Sequence, residues 1–380
     1  MSLPEQADVV VIGGGVIGLS AAFHLAEAGR SVVVLERDAL GAGSTSRAAG
    51  GVRTAFSDEV NVRLAQRSLA AYERFAADHQ QEIDLHRSGY LFLLSDDHQV
   101  ADFAHASALQ RSLGIDSRMI GVDQAAALSP LVDPTGLVGA MWSPDDGHCS
   151  PESVVAGYAS SARRLDAHVE VGYAATGIEV RDERVVAVVT ERGTITTDAV
   201  VCAAGAWSRA VGEWVGIDLP VTPLRRHVAL SGPVADLDPA TPFTIDFATS
   251  LYFHREGPGL LLGMPDAEDV WTDSARRDES WLLHLAEALG ERVPALGDVG
   301  LRIAWAGPYE VTPDHNALIG SAGPAGFVYA TGFSGHGFLM GPAVGEVVRD
   351  LVLGADPVVD VGALSVDRFA SGVRPERHVI

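Results

Sequence analysis

The sequence predicts an α/β domain built on a parallel sheet, interleaved with a second, α+β domain that contains an antiparallel sheet. Residues 9–12 are an apolar, β-branched run, which is typical of a strand buried on both faces. A glycine-rich turn, a helical segment and a second apolar run at 31–35 follow in that order, as in a βαβ unit. The apolar runs 91–94 and 259–263 are assigned to the antiparallel sheet.

The turn after the first strand has the pattern of a Rossmann-type dinucleotide-binding loop. Gly13 permits a tight turn, Gly15 lets the backbone approach a pyrophosphate, and Gly18 lets the helix pack close to the strand. Glu36, about 20 residues downstream, accepts hydrogen bonds from ribose hydroxyls. The order of strand, glycines, helix, strand and acid disfavours a turn without a ligand, but it fits NAD and FAD equally. The predicted contacts are Gly13, Gly15, Val16, Ile17, Gly18, Glu36 and Arg37.

Composition narrows the classes of function. The chain has 380 residues and a formal net charge of −23, which disfavours nucleic-acid and anionic-membrane partners. All 27 basic residues are arginine, so Schiff-base chemistry through lysine is excluded. Cys149 and Cys202 are too few for a disulfide framework. We see neither a signal peptide nor a run of about 18 apolar residues, and we expect a cytoplasmic protein without a membrane partner.

Four segments carry a resemblance to a known family. Residues 41–53 are small, hydroxylated and rich in glycine, which suits a loop against a flat ring system. Together with 200–207, 305–314 and 330–338, they resemble the D-amino-acid-oxidase-like flavoproteins, which include glycine oxidase, sarcosine oxidase and dimethylglycine dehydrogenase. The resemblance spans nearly the whole chain and favours FAD. It implies further FAD contacts at Ser44, Thr45, Ser46, Gly50, Gly51, Ala175, Ala204, Gly205, Trp207, Gly332, Gly335, His336, Gly337 and Phe338.

The chain departs from the family at positions that bear on the cofactor. Arg47 and Gly307 stand where some relatives tether the flavin through histidine or cysteine, so the resemblance implies a non-covalent FAD. Leu261 and Leu339 stand where the sarcosine oxidases have lysines, which leaves the electron acceptor open. We expect O2 as the acceptor, giving H2O2. The alternative is the flavin subunit of a dehydrogenase that passes electrons to another acceptor.

Four residues are the candidates for the substrate site: Arg53, Tyr252, Tyr309 and His336. Arg53 matches the substrate-binding arginine of the sarcosine oxidases, and its guanidinium can hold a carboxylate bidentately. Tyr252 matches the tyrosine that roofs the glycine oxidase pocket, with core packing as the alternative. Tyr309 and Gly335 replace two carboxylate-binding arginines of glycine oxidase, which disfavours free glycine. Recognition of a second acidic group is an open role for the arginines of the substrate half, which are Arg225, Arg226, Arg255 and Arg302.

A glycine-rich turn around His336 leads into a predicted helix at 342–348, with Pro342 in its first turn. The N-terminus of this helix is expected to stabilise negative charge on the reduced flavin. His336 and His254 are candidates to offset that charge in the absence of lysine, and a structural role is the alternative. Residues 145–149 contain metal-ligand residue types in an acidic turn, and we assign no metal.

The order of these blocks predicts two interleaved domains. The FAD-binding domain comprises 1–85, 146–220 and 315–365, and the substrate domain comprises 86–145 and 221–314. The residues after Pro375 support no prediction.

The predicted activity is oxidation of the C–N bond of a glycine-type or N-substituted amino acid to an imine, which then hydrolyses. The predicted partners are this small amine or amino acid and the electron acceptor. A flavin-dependent hydroxylase and a non-catalytic FAD-holding subunit are the rival interpretations. The sequence predicts no oligomeric state.

Overall fold

Two large sheets organise the computed structural model, which describes residues 3–370, 372 and 374–379. Its helices are α1 (Val16–Glu27), α2 (Glu59–His79), α3 (Asp97–Ser112), α4 (Val122–Leu128), α5 (Pro151–Arg164), α6 (Ser208–Glu213), α7 (Ser280–Arg292) and α8 (Gly337–Leu353). Its strands are β1 (Val9–Ile12), β2 (Val32–Glu36), β3 (Gly51–Val52), β4 (Tyr90–Leu94), β5 (Arg118–Ile120), β6 (Gly139–Ser143), β7 (Gly147–His148), β8 (His168–Val171), β9 (Ala175–Arg181), β10 (Arg184–Thr190), β11 (Gly193–Thr196), β12 (Ala199–Cys202), β13 (Thr222–Ser231), β14 (Phe243–Asp246), β15 (Leu251–Glu256), β16 (Gly259–Met264), β17 (Leu301–Val311), β18 (Leu318–Ser321) and β19 (Phe327–Thr331).

The first sheet has the strand order β18-β19-β12-β1-β2-β8 and is parallel except for its edge strand β18. Both faces are covered, which explains why β1 and β2 are apolar at successive positions. Val9 and Val11 pack with helices α1, α5 and α8, whereas Val10 and Ile12 face the small sheet β9–β11. The predicted βαβ unit is therefore confirmed, and Gly29 ends its helix region with a φ of 79°.

The second sheet has the order β17-β13-β16-β15-β14-β4-β6-β5, and all its pairs are antiparallel except β14 with β4. Alternation along each strand gives the sheet two different faces. Leu91 and Leu93 lie in one core with residues of α7, while Tyr90 and Phe92 lie in another core with Tyr252. This second, aromatic face is the one turned toward the parallel-sheet half.

The prediction for α8 is wrong at its start. The helix begins at Gly337, so Pro342 lies inside it rather than in its first turn. Proline has no N–H to donate to the carbonyl four residues earlier, which belongs to Phe338. The hydroxyl of Tyr72 in α2 donates to that carbonyl at 2.6 Å and replaces the missing bond.

The two large sheets draw their strands from alternating stretches of the chain. The parallel sheet takes strands from 9–36, 168–202 and 318–331, and the antiparallel sheet takes them from 90–143 and 222–311. The domain boundaries given above remain our proposal. Among the described residues, we find no helix with the length and apolar character needed to cross a bilayer.

Candidate active site

A continuous trough runs from the parallel sheet to the antiparallel sheet. It consists of two cavities, one beside β1, β2 and β12, and one between the start of α8 and the aromatic face of the second sheet. The first cavity has a volume of about 720 Å³, within the range of ordinary ligand pockets. The residues that line both cavities join them into one path, and they are Val16, Ile17, Ser44, Thr45, Arg47 and Glu310.

At one end of the trough the backbone of the glycine-rich turn lies in close contact with the backbone of neighbouring segments. A Cβ on Gly13 would lie 2.2 Å from the carbonyl oxygen of Ala203, and one on Gly18 would lie 2.0 Å from the carbonyl oxygen of Gly13. Glu36 accepts hydrogen bonds from the Gly14 and Asp38 N–H groups, both at 2.8 Å, and its side chain lines the cavity. The N-terminus of α1 opens into the same cavity, so free N–H groups and the Glu36 carboxylate both lie along it, as a dinucleotide site requires.

Aromatic and hydroxyl side chains complete this end of the trough. The Arg37 guanidinium carbon lies 3.9 Å from the Trp207 ring centroid, and the indole N–H of Trp207 donates to Asp273 at 3.0 Å. The Ser44 hydroxyl donates to the Pro308 carbonyl at 2.6 Å and ties the loop to β17. A dinucleotide fits this arrangement, and contacts of its ribose with Glu36 and of its phosphates with the glycine-rich turn remain our prediction.

The position of Arg47 explains the chain's departures from the family at the flavin attachment points. The Arg47 side chain donates to the carbonyls of Ala42 and Gly43. It also packs directly against Gly307, where a Cβ would meet Arg47 Cβ at 2.8 Å. These two positions therefore face each other, and neither provides a nucleophile for a covalent bond to the flavin.

Arg53 lies at the far end of the trough and is only 6% exposed. Its guanidinium donates to the carbonyls of Ala55 and His378 and stacks 4.1 Å from the Phe56 ring centroid. Burial lowers the pKa of Arg53, but its ordinary pKa is so high that the group stays charged. The pocket thus contains a buried cation whose described hydrogen-bond partners are neutral carbonyls.

The other predicted substrate-site residues line the same pocket. Burial raises the pKa of Tyr252 and of Tyr309, so both phenols keep their protons. Burial lowers the pKa of His336 to about 3, and its Nε2 is buried without a hydrogen-bond partner. His254 also has its pKa lowered by burial, to about 4, and its two ring nitrogens contact the carbonyls of Arg255 and Ala49. A role for His336 and His254 in offsetting charge on the reduced flavin remains our prediction.

Glu310 was not predicted from the sequence. It is buried, lines both cavities, and accepts hydrogen bonds from the backbone N–H groups of Gly332 and Phe333 and from the Thr331 hydroxyl. Burial raises the pKa of Glu310 to about 7. An acid inside the apolar strand 301–311 was the only signal in the sequence, and it did not show which cavity the side chain would reach.

The segment 374–379 also contributes to the pocket, although no prediction was made for it. Glu376 accepts hydrogen bonds from the Ser57 hydroxyl at 2.6 Å and from Asn61 at 2.9 Å. The His378 ring stacks on Phe103 with centroids 3.8 Å apart, and Val379 lines the pocket. The segment therefore forms a wall beside Arg53.

The structure places most of the predicted cofactor residues along the trough, but three lie outside its lining. Gly18 packs the helix against the turn, as its predicted role requires. Ser46 packs against Gly41, where a Cβ would lie 2.5 Å from the Ser46 hydroxyl, and Gly332 packs against Thr312. Cofactor contacts by Ser46 and Gly332 remain a prediction. The predicted residues that line the trough are Gly13, Gly15, Val16, Ile17, Glu36, Arg37, Ser44, Thr45, Gly50, Gly51, Ala175, Ala204, Gly205, Trp207, Gly335, His336, Gly337 and Phe338.

One cluster of metal-ligand residue types lies outside the trough. His148, His254 and Glu256 have ligand atoms within 4.8 Å of one another. Both ring nitrogens of His254 already contact backbone carbonyls, at 2.8 and 2.9 Å. We therefore propose no metal at this cluster.

The glycine-rich turn, the acid at the end of β2 and a second sheet over the far end of the trough are the features expected of a flavin-dependent oxidoreductase. Residues 8–351 match the family described as FAD dependent oxidoreductase (DAO), and the chain belongs to this family. The predicted family and the predicted FAD are confirmed.

Relatives and solved structures agree with this assignment. The chain is 29% identical to mitochondrial sarcosine dehydrogenase of Mus musculus over 388 residues, which cover 97% of this chain and 42% of the relative. It is 28% identical to 4-methylaminobutanoate oxidase (formaldehyde-forming) of Paenarthrobacter nicotinovorans over 391 residues, 100% of this chain and 47% of the relative. The chain thus spans less than half the length of these two proteins.

Two solved structures resemble the fold closely. L-proline dehydrogenase from P. horikoshii superposes with a TM-score of 0.92 and 29% identity, covering 98% of this chain and 100% of that chain. Glycine oxidase from Geobacillus kaustophilus gives a TM-score of 0.86 at 24% identity, covering 96% of this chain and 99% of that chain, and shows the fold alone.

Proposed function

We propose that the chain oxidises the C–N bond of a glycine-type or N-substituted amino acid, with O2 as electron acceptor. A hydride leaves the carbon next to the neutral amine nitrogen, the nitrogen releases its proton to water, and a C=N bond forms. Water then adds to this imine and releases an amine and a carbonyl compound. When bound, FAD supplies the hydride acceptor.

The observation that carries this proposal is the buried Arg53 at the far end of the trough, in the cavity between the start of α8 and the second sheet. A guanidinium without a described acidic hydrogen-bond partner is suited to hold a carboxylate. Its paired N–H donors can bind both carboxylate oxygens and so fix the orientation of that group. The relatives named above act on N-methylated amino acids and on proline, judging by their names, and these substrates combine a carboxylate with a substituted nitrogen. The chemistry of the pocket and the names of the relatives therefore favour the same substrate class.

The surrounding side chains have supporting roles. Tyr252 and Tyr309 keep their protons, and both are available as neutral hydrogen-bond donors in the cavity that contains Arg53. The N-terminus of α8, with His336 and Gly337 in the lining, points partial positive charge at the site where negative charge develops. The phenols and the helix dipole thus orient the substrate and stabilise charge without a catalytic lysine.

A dehydrogenase that passes electrons to another acceptor is the second candidate. Leu339 lines the pocket and Leu261 is buried in the adjacent core, so the positions of the family's lysines are apolar here. Neither position provides a fixed positive charge for reaction with oxygen.

Anaerobic flavin bleaching across a panel of N-alkylglycines, D-amino acids, L-proline and plain amines tests the proposal. We expect N-alkylglycines or proline to bleach the FAD, and amines without a carboxylate to leave it oxidised. Readmission of air then separates the acceptors, because an oxidase recovers its colour with one H2O2 formed per flavin. Bleaching by simple amines, but by no amino acid, would contradict the proposed substrate class.

A further inference from the structure

Alternation along β13 separates two adjacent arginines. Arg226 and Val228 face inward and line the pocket that contains Arg53. Arg225 faces the other way and is held by Asp266, at 3.0 and 3.2 Å, and by Asp278, at 3.2 Å. Arg225 therefore has its charge neutralised within the protein, whereas Arg226 brings a further cation into the pocket lined by Arg53 and, where the two cavities join, by Arg47.

Arg226 is only partly satisfied by the protein. Its Nη1 donates to the Arg225 carbonyl at 3.1 Å and to Asp269 at 3.2 Å, and Asp269 lies half-exposed on the loop that follows β16. Its Nε is buried and has no hydrogen-bond partner. The guanidinium carbon lies 5.7 Å from the ring centroid of Tyr309. A donor of this cation is thus left free inside the protein.

The charge balance of the pocket favours an anionic ligand with two acidic groups. The guanidinium groups of Arg53 and Arg226 both act on the Tyr309 phenol, so they lie near the same ring. Among the described residues that line this pocket, Glu310 is the only acid, and its carboxylate is engaged by Thr331, Gly332 and Phe333. A substrate with a single carboxylate, bound to Arg53, would leave the free donor of Arg226 unpaired. A buried donor without a partner carries a free-energy penalty.

We propose that Arg226 binds a second anionic group, so that the substrate is an amino acid whose N-substituent ends in a carboxylate. This inference rests on the proposed function and names its substrate class. Arg53 holds the α-carboxylate, the nitrogen lies between the two guanidinium groups, and the terminal carboxylate meets the free Nε of Arg226.

The first experiment compares N-methylglycine with N-carboxymethyl-, N-(2-carboxyethyl)- and N-(3-carboxypropyl)glycine. Binding is measured by equilibrium dialysis with the FAD-loaded chain, and flavin reduction is measured anaerobically. We expect at least one dicarboxylate to bind at least ~30-fold more tightly than N-methylglycine, because only a dicarboxylate relieves the unpaired buried donor of Arg226. Equal affinity for N-methylglycine and for every dicarboxylate would overturn the inference.

Three variants separate recognition from structural support. Arg226→Gln is expected to lose ~30-fold or more in affinity for the preferred dicarboxylate and to change N-methylglycine binding by less than about 3-fold. Asp269→Asn breaks the same ion pair but leaves Arg226 in the pocket, so it should keep the dicarboxylate. Arg302→Gln removes an exposed charge from the neighbouring strand β17 and should change neither ligand.

The outcomes distinguish this inference from the proposed function. If Asp269→Asn behaves like Arg226→Gln, or if Arg226→Gln weakens both ligands equally, Arg226 only supports the loop and the inference fails. If the dicarboxylate binds through Arg226 but no amino acid bleaches the flavin, the binding site stands and the proposed oxidation fails.

Discussion

Arg53 is the residue on which the proposed substrate orientation depends. It is buried, and its described hydrogen bonds go to the carbonyls of Ala55 and His378. These two bonds leave further N–H groups of the guanidinium available, because arginine has five donors. A substrate carboxylate would be a directly hydrogen-bonded acidic partner, which the described hydrogen bonds of Arg53 do not include.

Replacement of Arg53 by alanine is expected to lower kcat/KM for the carboxylate substrate by at least ~30-fold while FAD remains bound. The reason is the loss of one partner of a desolvated charge pair, which costs about 2–5 kcal/mol. Steady-state kinetics and the flavin content of the purified variant are the measurements. An esterified substrate is the control, since it should react poorly with the wild type and lose little more in the variant. Near-normal activity, or loss of FAD, would show that Arg53 is structural.

Glu310 is expected to make stability fall with rising pH. Burial raises the pKa of Glu310 to about 7, from an ordinary value near 4.5, so the folded protein binds a proton that the unfolded chain releases. Its contribution to stability is therefore present at acidic pH and is lost between about pH 4.5 and 7. Glu310→Gln should flatten this part of the profile of the unfolding free energy against pH. Asp146→Asn is a matched comparison, because burial also raises the pKa of Asp146, to about 6.

At the scale of elements, α8 shows how a distant side chain permits a local irregularity. Pro342 inside the helix leaves the Phe338 carbonyl without an intrahelical donor, and Tyr72 from α2 supplies one. The helix can therefore start at Gly337 and bring its N-terminus to the trough. Without the Tyr72 hydroxyl, the proline would favour a helix that begins near Pro342, as the sequence predicts.

Tyr72→Phe is expected to destabilise the protein by about 1–3 kcal/mol, because it leaves a buried carbonyl unpaired. Urea unfolding followed by circular dichroism measures the change. Adding Pro342→Ala should recover part of the loss, since alanine restores an N–H at that position. If Tyr72→Phe is neutral, or if the second substitution brings no recovery, the hydroxyl does not compensate for the proline.

The comparison of α8 with β1 shows what the sequence can predict. The β1–α1–β2 unit depends on local patterns, namely an apolar run, glycines at fixed spacing and an acid at the end of the next strand. The start of α8 depends on the hydrogen bond from Tyr72 to Phe338, which is 266 positions away in the chain, and no local pattern contains that information.

In the substrate pocket, too, some residues can be predicted from the sequence, whereas others depend on contacts between distant segments. Arg53, Tyr252, Tyr309 and His336 were found through the family resemblance and line one pocket. The sequence does not distinguish Arg226 from the other three arginines with an open role in binding a second acidic group, because its inward direction follows from the register of β13 against β17 and β16. The wall formed by 374–379 depends on contacts of Glu376 and His378 with α2 and α3, which are distant in sequence.

At the scale of the whole molecule, the trough lies where the two sheets meet. The parallel sheet contributes the dinucleotide end, the antiparallel sheet contributes the aromatic and arginine-bearing roof, and α8 points into the junction. The chain spans less than half the length of the two relatives named above, and its own residues line both cavities of the trough. We therefore expect this chain alone to bind FAD and to perform the reductive half-reaction.

Single turnover without oxygen tests this central claim most directly. The FAD-loaded chain is mixed with an excess of a preferred N-substituted amino acid, and reduced flavin and released carbonyl product are counted together. The account predicts one carbonyl product per flavin reduced, without NAD(P)H, and intact FAD released by acid afterwards. Flavin that stays oxidised with every amino acid, or that is reduced only by NAD(P)H, would contradict it.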